Sequence, residues 1–514
     1  MKDLSSMTKP FNKILIILLT ATLFLSSCSV FSSDEDDKVR PKSLTVWTKD
    51  AVERDPVLTI DESQYFLNSL MYETLFKLDE RNNIEPNIAK SFSISDDGTS
   101  ITIDLDSEKT FTNGKKITST DVKKTLSRLA MLDAKATKSV KTIKGSGEAR
   151  GGADFFGIAT PADTKVVISF IAPNPFFVYS LAQPAFAILP SAALNEKNEM
   201  ISDVGSGMYT IKTMAVDATT PTVFVPRDAS LPDIKVFKKT QEEIDKLGDT
   251  SDVDLILGQA PTNKGFTVKN IQVLASASWN IYVKDATSPL SDVRFRQAIL
   301  LAIDSDTSFA AYGVRANMPS KFSGVTVDAV DCSTNCDTNK DKAKELLKEI
   351  FPEGIIPNVS IDIEDSEVQK SLSATAKKDL TDVGIPSTVT THVPGDFANA
   401  IARGEIGLFR FGWISNIPVS SESLVENFKA DSPDNLSGVV DETLEKDISE
   451  YEASATVSGK IDKSKAIQER IKDLFLSKPI AQFVSPVSVA QRVEIPKFDC
   501  YGRLDIAKIY KSER

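Results

Sequence analysis

The sequence predicts an α/β protein with at least two lobes, and two observations support this prediction. First, a chain of 514 residues is too long for one ordinary hydrophobic core. Second, apolar stripes with helical spacing alternate with short strand-like runs through residues 280–480, an order typical of an α/β lobe. The composition, with 41% hydrophobic and 26% charged residues, is that of a globular protein.

Charge and histidine content exclude several classes of function. The formal net charge is -12, and no Lys/Arg cluster with interleaved aromatic residues occurs, so we expect no nucleic-acid partner. His392 is the only histidine, which excludes a multi-histidine metal site. It lies in a short strand-like run, where a structural role is favoured over catalysis. Because a Gly-x-Ser-x-Gly motif is also missing, we predict that the protein is not an enzyme and uses no metal or other cofactor.

Residues 1–27 have the pattern of a targeting segment. Lys2, Lys9 and Lys13 form a basic region, and Ile14–Leu25 is an apolar stretch shorter than the roughly 20 residues of a permanent membrane span. The small residues Ser26 and Ser27 then precede Cys28, which resembles a bacterial lipobox. We therefore predict a lipoprotein signal peptide, with Cys28 becoming the lipidated first residue of the mature chain. Several acyl chains on one residue are enough for stable membrane anchoring.

Residues 28–42 are interpreted as the lipidated cysteine followed by a flexible tether. The stretch after Cys28 is rich in serine and then carries the acidic run Asp34–Asp37. The folded part is expected to begin near Ser43. Ser29 follows the lipidated cysteine, and in a cell with two membranes the absence of Asp at this position resembles the outer-membrane sorting pattern. The protein is thus expected outside the cytoplasm, on the cell envelope.

Three further cysteines follow, and an envelope protein sits in an oxidising compartment. Cys332 and Cys336 lie in a loop-like stretch and are interpreted as a small disulfide, which leaves Cys500 over. The alternative is one half of a C-x3-C zinc site, but no second half is evident.

The first part of the chain reads as strands, turns and helices in a clear order. Leu44–Trp47 predicts a strand, Ser63–Leu78 carries a helix-like apolar pattern, and Ile94–Ser100 is a hairpin signal. Ile101, Ile103 and Leu105 then alternate with polar residues as in a half-buried strand. After the Asn113-Gly114 turn, Thr118–Asp121 supplies helix-capping residues ahead of Val122, Leu126 and Leu129.

Later segments carry four apolar stripes with helical spacing, which we assign to core-facing helices. They are Ala343, Leu346, Leu347 and Ile350; Leu372, Ala376, Leu380 and Val383; Val440, Leu444, Ile448 and Tyr451; and Ile461, Ile467, Ile471 and Leu474.

A series of short motifs occurs in the order and spacing of a known family. They are Tyr72-Glu73-Thr74-Leu75, Glu85-Pro86-Asn87-Ile88-Ala89, Ser93-Ile94-Ser95-Asp96-Asp97-Gly98, Phe111-Thr112-Asn113-Gly114 and Thr120-Asp121-Val122. Together they resemble the N-terminal part of the peptide/nickel family of solute-binding proteins, which serve ABC importers.

Later segments extend this resemblance to about Phe498. Gly205–Tyr209 is similar to the family's Gly-x-Gly-Pro-Tyr turn, with Met208 in place of proline. Pro289–Ala298, which closes at Ala302-Ile303-Asp304, and Lys342–Leu347 resemble two helices that follow the crossing between lobes.

The resemblance implies a two-lobed clamshell of the periplasmic-binding-protein type, with two hinge crossings and an inserted α+β domain. We use three names for the implied parts from here on. Lobe I comprises residues 43–70, 190–277 and 483–514; the insert comprises residues 71–189; and lobe II comprises residues 278–482.

The resemblance also places a ligand site on the apolar run Gly407–Pro418. In peptide-binding members the strand at the back of the cleft reads Arg-x-Gly-Trp-x-x-Asp, and the acid pairs with the peptide's ammonium group. Here Arg410, Gly412 and Trp413 match, but the acid position holds Asn416. Losing one side of a buried ion pair typically costs about 2–5 kcal/mol. Either another acid substitutes, or the ligand is not held by a free amine. An alternative is that Arg410 meets a structural acid and has no ligand role.

Weaker candidates complete the predicted site. Gln64, Tyr65, Gln259 and Trp279 are expected to line the cleft, although an exposed loop, a plain turn or packing at the hinge would explain them equally well. The acids that could substitute at the amine position are Glu62, Asp228 and Asp285.

Function follows from the resemblance and the lipobox. We expect a monomeric, lipid-anchored solute-binding protein that captures a peptide or peptide-like solute between its lobes and delivers it to an ABC permease and ATPase. The alternative is a repurposed fold that acts as an envelope structural or interaction lipoprotein without transport. Nickel binding, known in the family, is disfavoured by the single histidine.

Overall fold

The computed structural model describes residues 38–59, 61–132, 135–149, 155–217, 219–247, 252–261, 265–332, 337–393 and 395–512. Its strands are β1 Lys38–Val39, β2 Ser43–Thr48, β3 Phe76–Leu78, β4 Ile84–Pro86, β5 Ala89–Ile94, β6 Ser100–Leu105, β7 Ile158–Ala162, β8 Lys165–Ser169, β9 Tyr209–Thr213, β10 Thr222–Pro226, β11 Asp233–Lys238, β12 Leu255–Leu257, β13 Phe266–Ile281, β14 Ala316–Asn317, β15 Val359–Glu364, β16 Ser387–His392, β17 Leu408–Ile414, β18 Ser477–Ala490, β19 Val493–Glu494 and β20 Tyr510–Ser512.

The α-helices are α1 Glu62–Met71, α2 Ser119–Leu132, α3 Ser146–Ala149, α4 Phe177–Ser180, α5 Gln241–Asp245, α6 Val293–Ala302, α7 Ser305–Ala310, α8 Lys340–Ile350, α9 Glu367–Asp382, α10 Asp396–Ala402, α11 Ser421–Phe428, α12 Glu442–Ala453 and α13 Val457–Asp473. None of the helices in the described ranges is both long and apolar enough to cross a bilayer. The predicted signal peptide and Cys28 lie outside those ranges.

One large sheet passes through both predicted lobes by way of β13 and β18. Its strand order is β16-β15-β17-β13-β18-β12-β2-β11-β10-β9, and β14 pairs with β18. β2 runs parallel to β11 and β12 on one side, whereas β15 runs parallel to β16 and β17 on the other. The crossings expected near residues 277 and 482 both fall inside the two long central strands. The exact lobe boundaries stay a prediction.

The insert contains an antiparallel sheet of its own, with strand order β5-β6-β8-β7. The predicted hairpin joins β5 to β6, and its Gly98 has φ +67°, a conformation that glycine adopts without strain. The predicted alternation along β6 is confirmed, since Ile101, Ile103 and Leu105 are buried and the residues between them are only partly so.

Two of the predicted helical patterns have different bounds in the structure: one ends earlier and the other begins later. The pattern from Ser63 to Leu78 is a helix only as far as Met71, and Phe76–Leu78 is a strand. The helix stops because Gly205 and Gly207 lie against the carbonyls of Met71 and Leu70, which directs the chain elsewhere. Val440 was expected in the stripe of α12, but it precedes the helix and is 75% exposed.

Two predictions concern cysteine and histidine. Cys332 is buried and disulfide-bonded, Cys500 is buried and free, and Cys336 lies outside the described residues. His392 ends β16, where its Nε2 lies 3.0 Å from Oδ1 of the buried Asp362. Oδ2 of the same carboxylate accepts a hydrogen bond from the Gly407 amide at 3.0 Å. These contacts fit a structural histidine.

Lys478 on β18 is fully buried and carries a testable pH dependence. Its Nζ donates to the carbonyls of Leu300, Ile303 and Asp337 at 2.7–3.1 Å. Burial lowers the pKa of Lys478 to about 8. The native state therefore binds fewer protons than the unfolded state between about pH 8 and the ordinary lysine pKa near 10.4.

We predict that wild type gains stability relative to Lys478→Met as the pH rises through this window, by up to about 1.4 kcal/mol per pH unit. Urea unfolding at pH 7.5, 8.5 and 9.5 measures this difference. A difference that is flat or falls with pH would contradict the buried, partly deprotonated lysine.

Candidate functional site

A cavity of about 230 Å³ opens where the parallel strands β2 and β12 end. Its lining combines charged residues from lobe I with Arg315 of lobe II, and the crossing strands β13 and β18 contribute Val273 and Ser485. The carboxyl ends of parallel strands are the usual place for a ligand in open α/β sheets. The cavity is therefore the candidate binding site.

Helix α1 brings two acids to this cavity. Asp61 caps the helix by accepting a hydrogen bond from the Gln64 amide at 2.9 Å, and Glu62 is the first helical residue. The other end of α1 is braced because the Glu73 amide donates to Ser206 Oγ at 2.8 Å, within the Gly205–Tyr209 turn that was singled out in the sequence. The predicted turn thus helps to fix the orientation of the helix.

Gly258 lets β12 approach α1 closely. It has φ +71°, and a Cβ at this position would lie 2.8 Å from the Ser63 hydroxyl. A larger residue would be strained and would also push α1 away from the sheet.

The acids in the cavity repel one another. Burial raises the pKa of Glu62, and the charge of Asp61 raises it further, although a hydrogen bond from Ser485 lowers it. Burial is also the main cause that raises the pKa of Asp61, and Asp50 adds to the increase. A cationic group placed here would relieve both the desolvation and the repulsion.

Arg315 is the cation that lobe II contributes to the cavity, whose lining also includes Lys49 of lobe I. It is exposed, and it forms no ion pair with any acid of the described ranges. An anionic group of a ligand could therefore bind it without displacing an existing partner.

Arg410 of β17 is half-buried, and its partner is a phenol. Its Nε donates to Tyr312 Oη at 3.0 Å, and the guanidinium lies 5.7 Å from the centre of that ring. Within the described ranges it has no carboxylate partner, so the structural acid considered in the sequence analysis is not found there. A Cβ at Gly412 would lie 3.2 Å from the Ser276 carbonyl oxygen, which is a tight contact, and 3.4 Å from Arg410 Nη2.

Trp413 does not line the cavity. It is 8% exposed and packs against Phe411 and Phe428, with ring centres 5.9 and 5.8 Å away. Its position is that of a core residue in this structure, and a ligand role for it stays a prediction.

Asn416 and Tyr65 are brought together by Tyr501, which the sequence analysis missed. Asn416 has an exposed side chain, and its backbone carbonyl accepts a hydrogen bond from the Tyr501 hydroxyl at 2.9 Å. Tyr501 meets Tyr65 edge to face, with 6.4 Å between ring centres. Burial, with a contribution from Glu62, raises the pKa of Tyr65 to about 12, which keeps it protonated. Only the fold of the C-terminal segment places Tyr501 here, so no local pattern could have revealed it.

The remaining predicted residues are more dispersed. Gln64 is half-buried on α1. Gln259 follows Gly258 and is buried, and its Oε1 accepts no hydrogen bond from the described residues. Trp279 is fully buried in the core of lobe II together with Phe295 and Ile361, which matches the alternative of packing inside the protein.

The structure distinguishes the three acids considered as substitutes at the amine position. Asp228 lies in an exposed turn and binds the Ser230 amide at 2.9 Å. Asp285 lies in another exposed turn and binds the Thr287 amide at 2.8 Å. Glu62 alone of the three lines the cavity. The described part of the chain contains no group of three or more His, Cys, Asp or Glu side chains placed to hold a metal ion.

The match to a protein family decides the identity of the chain. Residues 83–435, more than half of the chain, match the family described as "Bacterial extracellular solute-binding proteins, family 5 Middle". The chain belongs to this family. The resemblance to peptide/nickel solute-binding proteins is thereby confirmed, and members of family 5 bind solutes rather than catalyse reactions.

Two relatives within family 5 match part of the chain. The dipeptide-binding protein of Lactococcus lactis subsp. cremoris is 26% identical over 146 residues, which are 27% of this chain and 26% of that protein. The glutathione-binding protein GsiB of Escherichia coli K12 is 26% identical over 201 residues, 39% of this chain and 36% of that protein. The matched segments thus span about a quarter and about a third of these relatives.

A solved structure of the same family shares the fold along nearly the whole chain. The murein tripeptide binding protein MppA of Escherichia coli, in its unliganded open form, aligns with a TM-score of 0.81 at 17% identity. The alignment covers 93% of this chain and 99% of MppA. The predicted two-lobed α/β fold of the family 5 proteins is therefore confirmed.

Glu62 provides a test of the electrostatics of the cavity. Because its pKa is raised, ionised Glu62 destabilises the ligand-free protein at pH 7, and this cost disappears as the pH falls below the ordinary glutamate value. We predict that Glu62→Gln raises the free energy of unfolding by about 1 kcal/mol at pH 7 and leaves it unchanged near pH 4.

Chemical denaturation at both pH values measures this effect. The matched control is Glu196→Gln, which changes an exposed glutamate outside the cavity and should alter stability by less than about 0.5 kcal/mol. Equal effects of the two substitutions at pH 7 would show that the cavity does not strain Glu62.

Proposed function

We propose that this chain is an extracytoplasmic, lipid-anchored solute-binding protein that captures a peptide or peptide-like solute between its lobes and delivers it to an ABC importer. Membership of family 5 supports solute binding. The names of the dipeptide-binding protein and of the murein tripeptide binding protein support peptides as the class of solute.

One observation carries the proposal: a cavity lined mainly by lobe I holds desolvated acids together with Arg315 of lobe II, which forms no ion pair with the described residues. Glu62 and Asp61 favour a cationic group, and Arg315 favours an anionic group. A short peptide carries both charges at its two ends. The cavity remains open, which favours a solute-binding role over a repurposed structural fold whose own side chains fill the site.

Glu62 is the acid that we assign to the ligand's ammonium group. At Asn416 the backbone carbonyl is already engaged by Tyr501, and the side-chain amide carries no charge. An amide gives a weaker hydrogen bond to an ammonium group than a carboxylate does. In this account the acid lies on α1 in lobe I instead of just after β17 in lobe II.

The other predicted residues take supporting roles. Tyr65 is placed beside Tyr501 near the amine end, and Gln64 and Gln259 flank α1 and the end of β12. Arg410, held by Tyr312, is available to a ligand carboxylate together with Arg315. Trp413 and Trp279 are assigned to packing behind the site rather than to direct contact.

Binding to mixtures of dipeptides and tripeptides tests the proposal. A peptide at 100 times its Kd stabilises the native state by about 2.7 kcal/mol, so thermal unfolding should shift clearly upward. N-acetylated versions of the same peptides lack the ammonium group and should bind at least 30-fold more weakly, and Glu62→Gln should remove most of that discrimination.

Two results of this experiment would contradict the proposal. No stabilisation by any peptide would contradict peptide capture as a whole. Equal binding of free and acetylated peptides to the wild type would contradict the role of Glu62 while leaving solute binding intact.

Lipid anchoring has its own test in the producing cell. We predict that the chain incorporates radiolabelled palmitate and remains with the membrane fraction, and that Cys28→Ser abolishes both. Cys500→Ser, which changes a buried free cysteine, is the control and should leave both unchanged. Labelling that persists in Cys28→Ser would contradict the predicted lipobox.

A further inference from the structure

Two turns of the insert touch lobe II directly. In the first, a Cβ on Gly98 would lie 2.7 Å from the Cα of Ala455 and 2.8 Å from its carbonyl oxygen, so the two backbones are in close contact. In the second, Asn82 has φ 64°, and its Nδ2 donates to the Val325 carbonyl at 2.9 Å. Both contacts depend on a residue that tolerates the left-handed conformation.

An aromatic pair reinforces the first contact. Phe176 of the insert and Tyr451 of α12 lie 6.4 Å apart between ring centres, at an angle of 50°. An exposed ion pair between Lys138 and Glu426 crosses the same boundary at 3.5 Å, and such a pair contributes little.

Buried apolar residues continue across the boundary in one hydrophobic cluster, and open pockets lie along its rim. Cavities of about 410 and 590 Å³ adjoin it, the first lined by Thr142, Asn174 and Tyr451 and the second by Ser95 and Thr456. The contact of Gly98 with Ala455 lies beside one of these open pockets, at the edge of the apolar cluster rather than inside it.

The loop that accepts the Asn82 hydrogen bond also supports the segment that follows β17. Two residues after Val325, the Val327 amide donates to the Pro418 carbonyl at 2.9 Å. The buried Asp328 then accepts hydrogen bonds from the amides of Ser420 and Ser421 at 2.9 and 3.2 Å. A movement of this loop would consequently move the segment that follows Asn416.

We propose that the insert acts as a clasp on lobe II, in which the turns at Gly98 and Asn82 hold lobe II in the arrangement described here. The clasp sets the equilibrium between this arrangement and others without touching the solute. This proposal concerns a conformational equilibrium and is independent of which solute binds.

Loss of one close contact or one hydrogen bond is expected to change this equilibrium constant by roughly 3- to 30-fold. A solute that binds one arrangement better would show a matching change in apparent affinity, because apparent Kd is inversely proportional to the populated fraction of the competent state.

Gly98→Ala and Gly114→Ala form a matched pair of variants for the test. Both glycines lie in turns of the insert with positive φ, +67° and +82°, so alanine strains both turns similarly. Only at Gly98 does the added Cβ meet lobe II; at Gly114 nothing lies within 4 Å. A difference between the two variants therefore reports the clasp rather than turn strain.

Distances between spin labels provide the measurement, on the full-length chain in detergent and in a Cys500→Ala background. Labels at Lys90→Cys in the insert and Lys446→Cys in α12 report the insert–lobe II distance. Labels at Lys90→Cys and Lys212→Cys report the distance between insert and lobe I. All three lysines are exposed.

We expect Gly98→Ala to broaden and lengthen the insert–lobe II distance and to leave the insert–lobe I distance unchanged. Gly114→Ala should change neither distance. Asn82→Gly keeps the backbone conformation accessible and removes only the side-chain amide, so it should shift the insert–lobe II distance in the same direction. If Gly98→Ala does not fold, Asn82→Gly decides the test. Wild-type distances in both Gly98→Ala and Asn82→Gly would overturn the proposal.

Discussion

The antiparallel pairing of β13 with β18 is the constraint on which the rest of the structure depends. These two strands are paired along most of their length, and every other strand of the large sheet is attached on one side of them or the other. β12 and β2, whose ends border the cavity, lie on one side, while β17, which carries Arg410 and ends two residues before Asn416, lies on the other. A strand pair resists shear and separation but bends more readily at irregular points. The pair therefore bends at least cost at its two register shifts, which lie between Gln272 and Ser278.

The site combines two acids that are unfavourable in the empty protein with an exposed cation. Glu62 and Asp61 are desolvated next to each other, and Arg315 has no acidic partner within the described ranges. A folded protein tolerates such groups when the remaining core supplies enough stability, and binding sites are where they accumulate. In the proposed mode of binding, the solute's ammonium group relieves the strain of these acids and its anionic group pairs with Arg315, so affinity and specificity come from the same groups.

Much of the fold could be predicted from the sequence because turns and apolar periodicity are local signals. The Asp97-Gly98 hairpin, the alternation along β6 and the core stripes of α8 and α9 all follow from residues close together in the chain. The end of α1 could not be predicted, since it depends on Gly205 and Gly207, far away in the sequence.

The site was less predictable for the same reason. The sequence singled out Arg410, Asn416 and Tyr65, but the partners that define their surroundings come from distant segments. Tyr312 lies 98 residues from Arg410, and Tyr501 lies 85 residues from Asn416. The replacement of the motif's acid by Asn416 was visible in the sequence, whereas the choice of Glu62 over Asp228 and Asp285 as the substitute acid required the fold.

The most direct measurement of the central claim is a crystal structure of the mature chain with a stabilising dipeptide or tripeptide bound. The account predicts electron density for the peptide between the lobes, with its ammonium group within hydrogen-bond distance of Glu62 and its carboxylate facing Arg315 or Arg410. A peptide whose ammonium group instead contacts the Asn416 side chain, with Glu62 unliganded, would contradict the account.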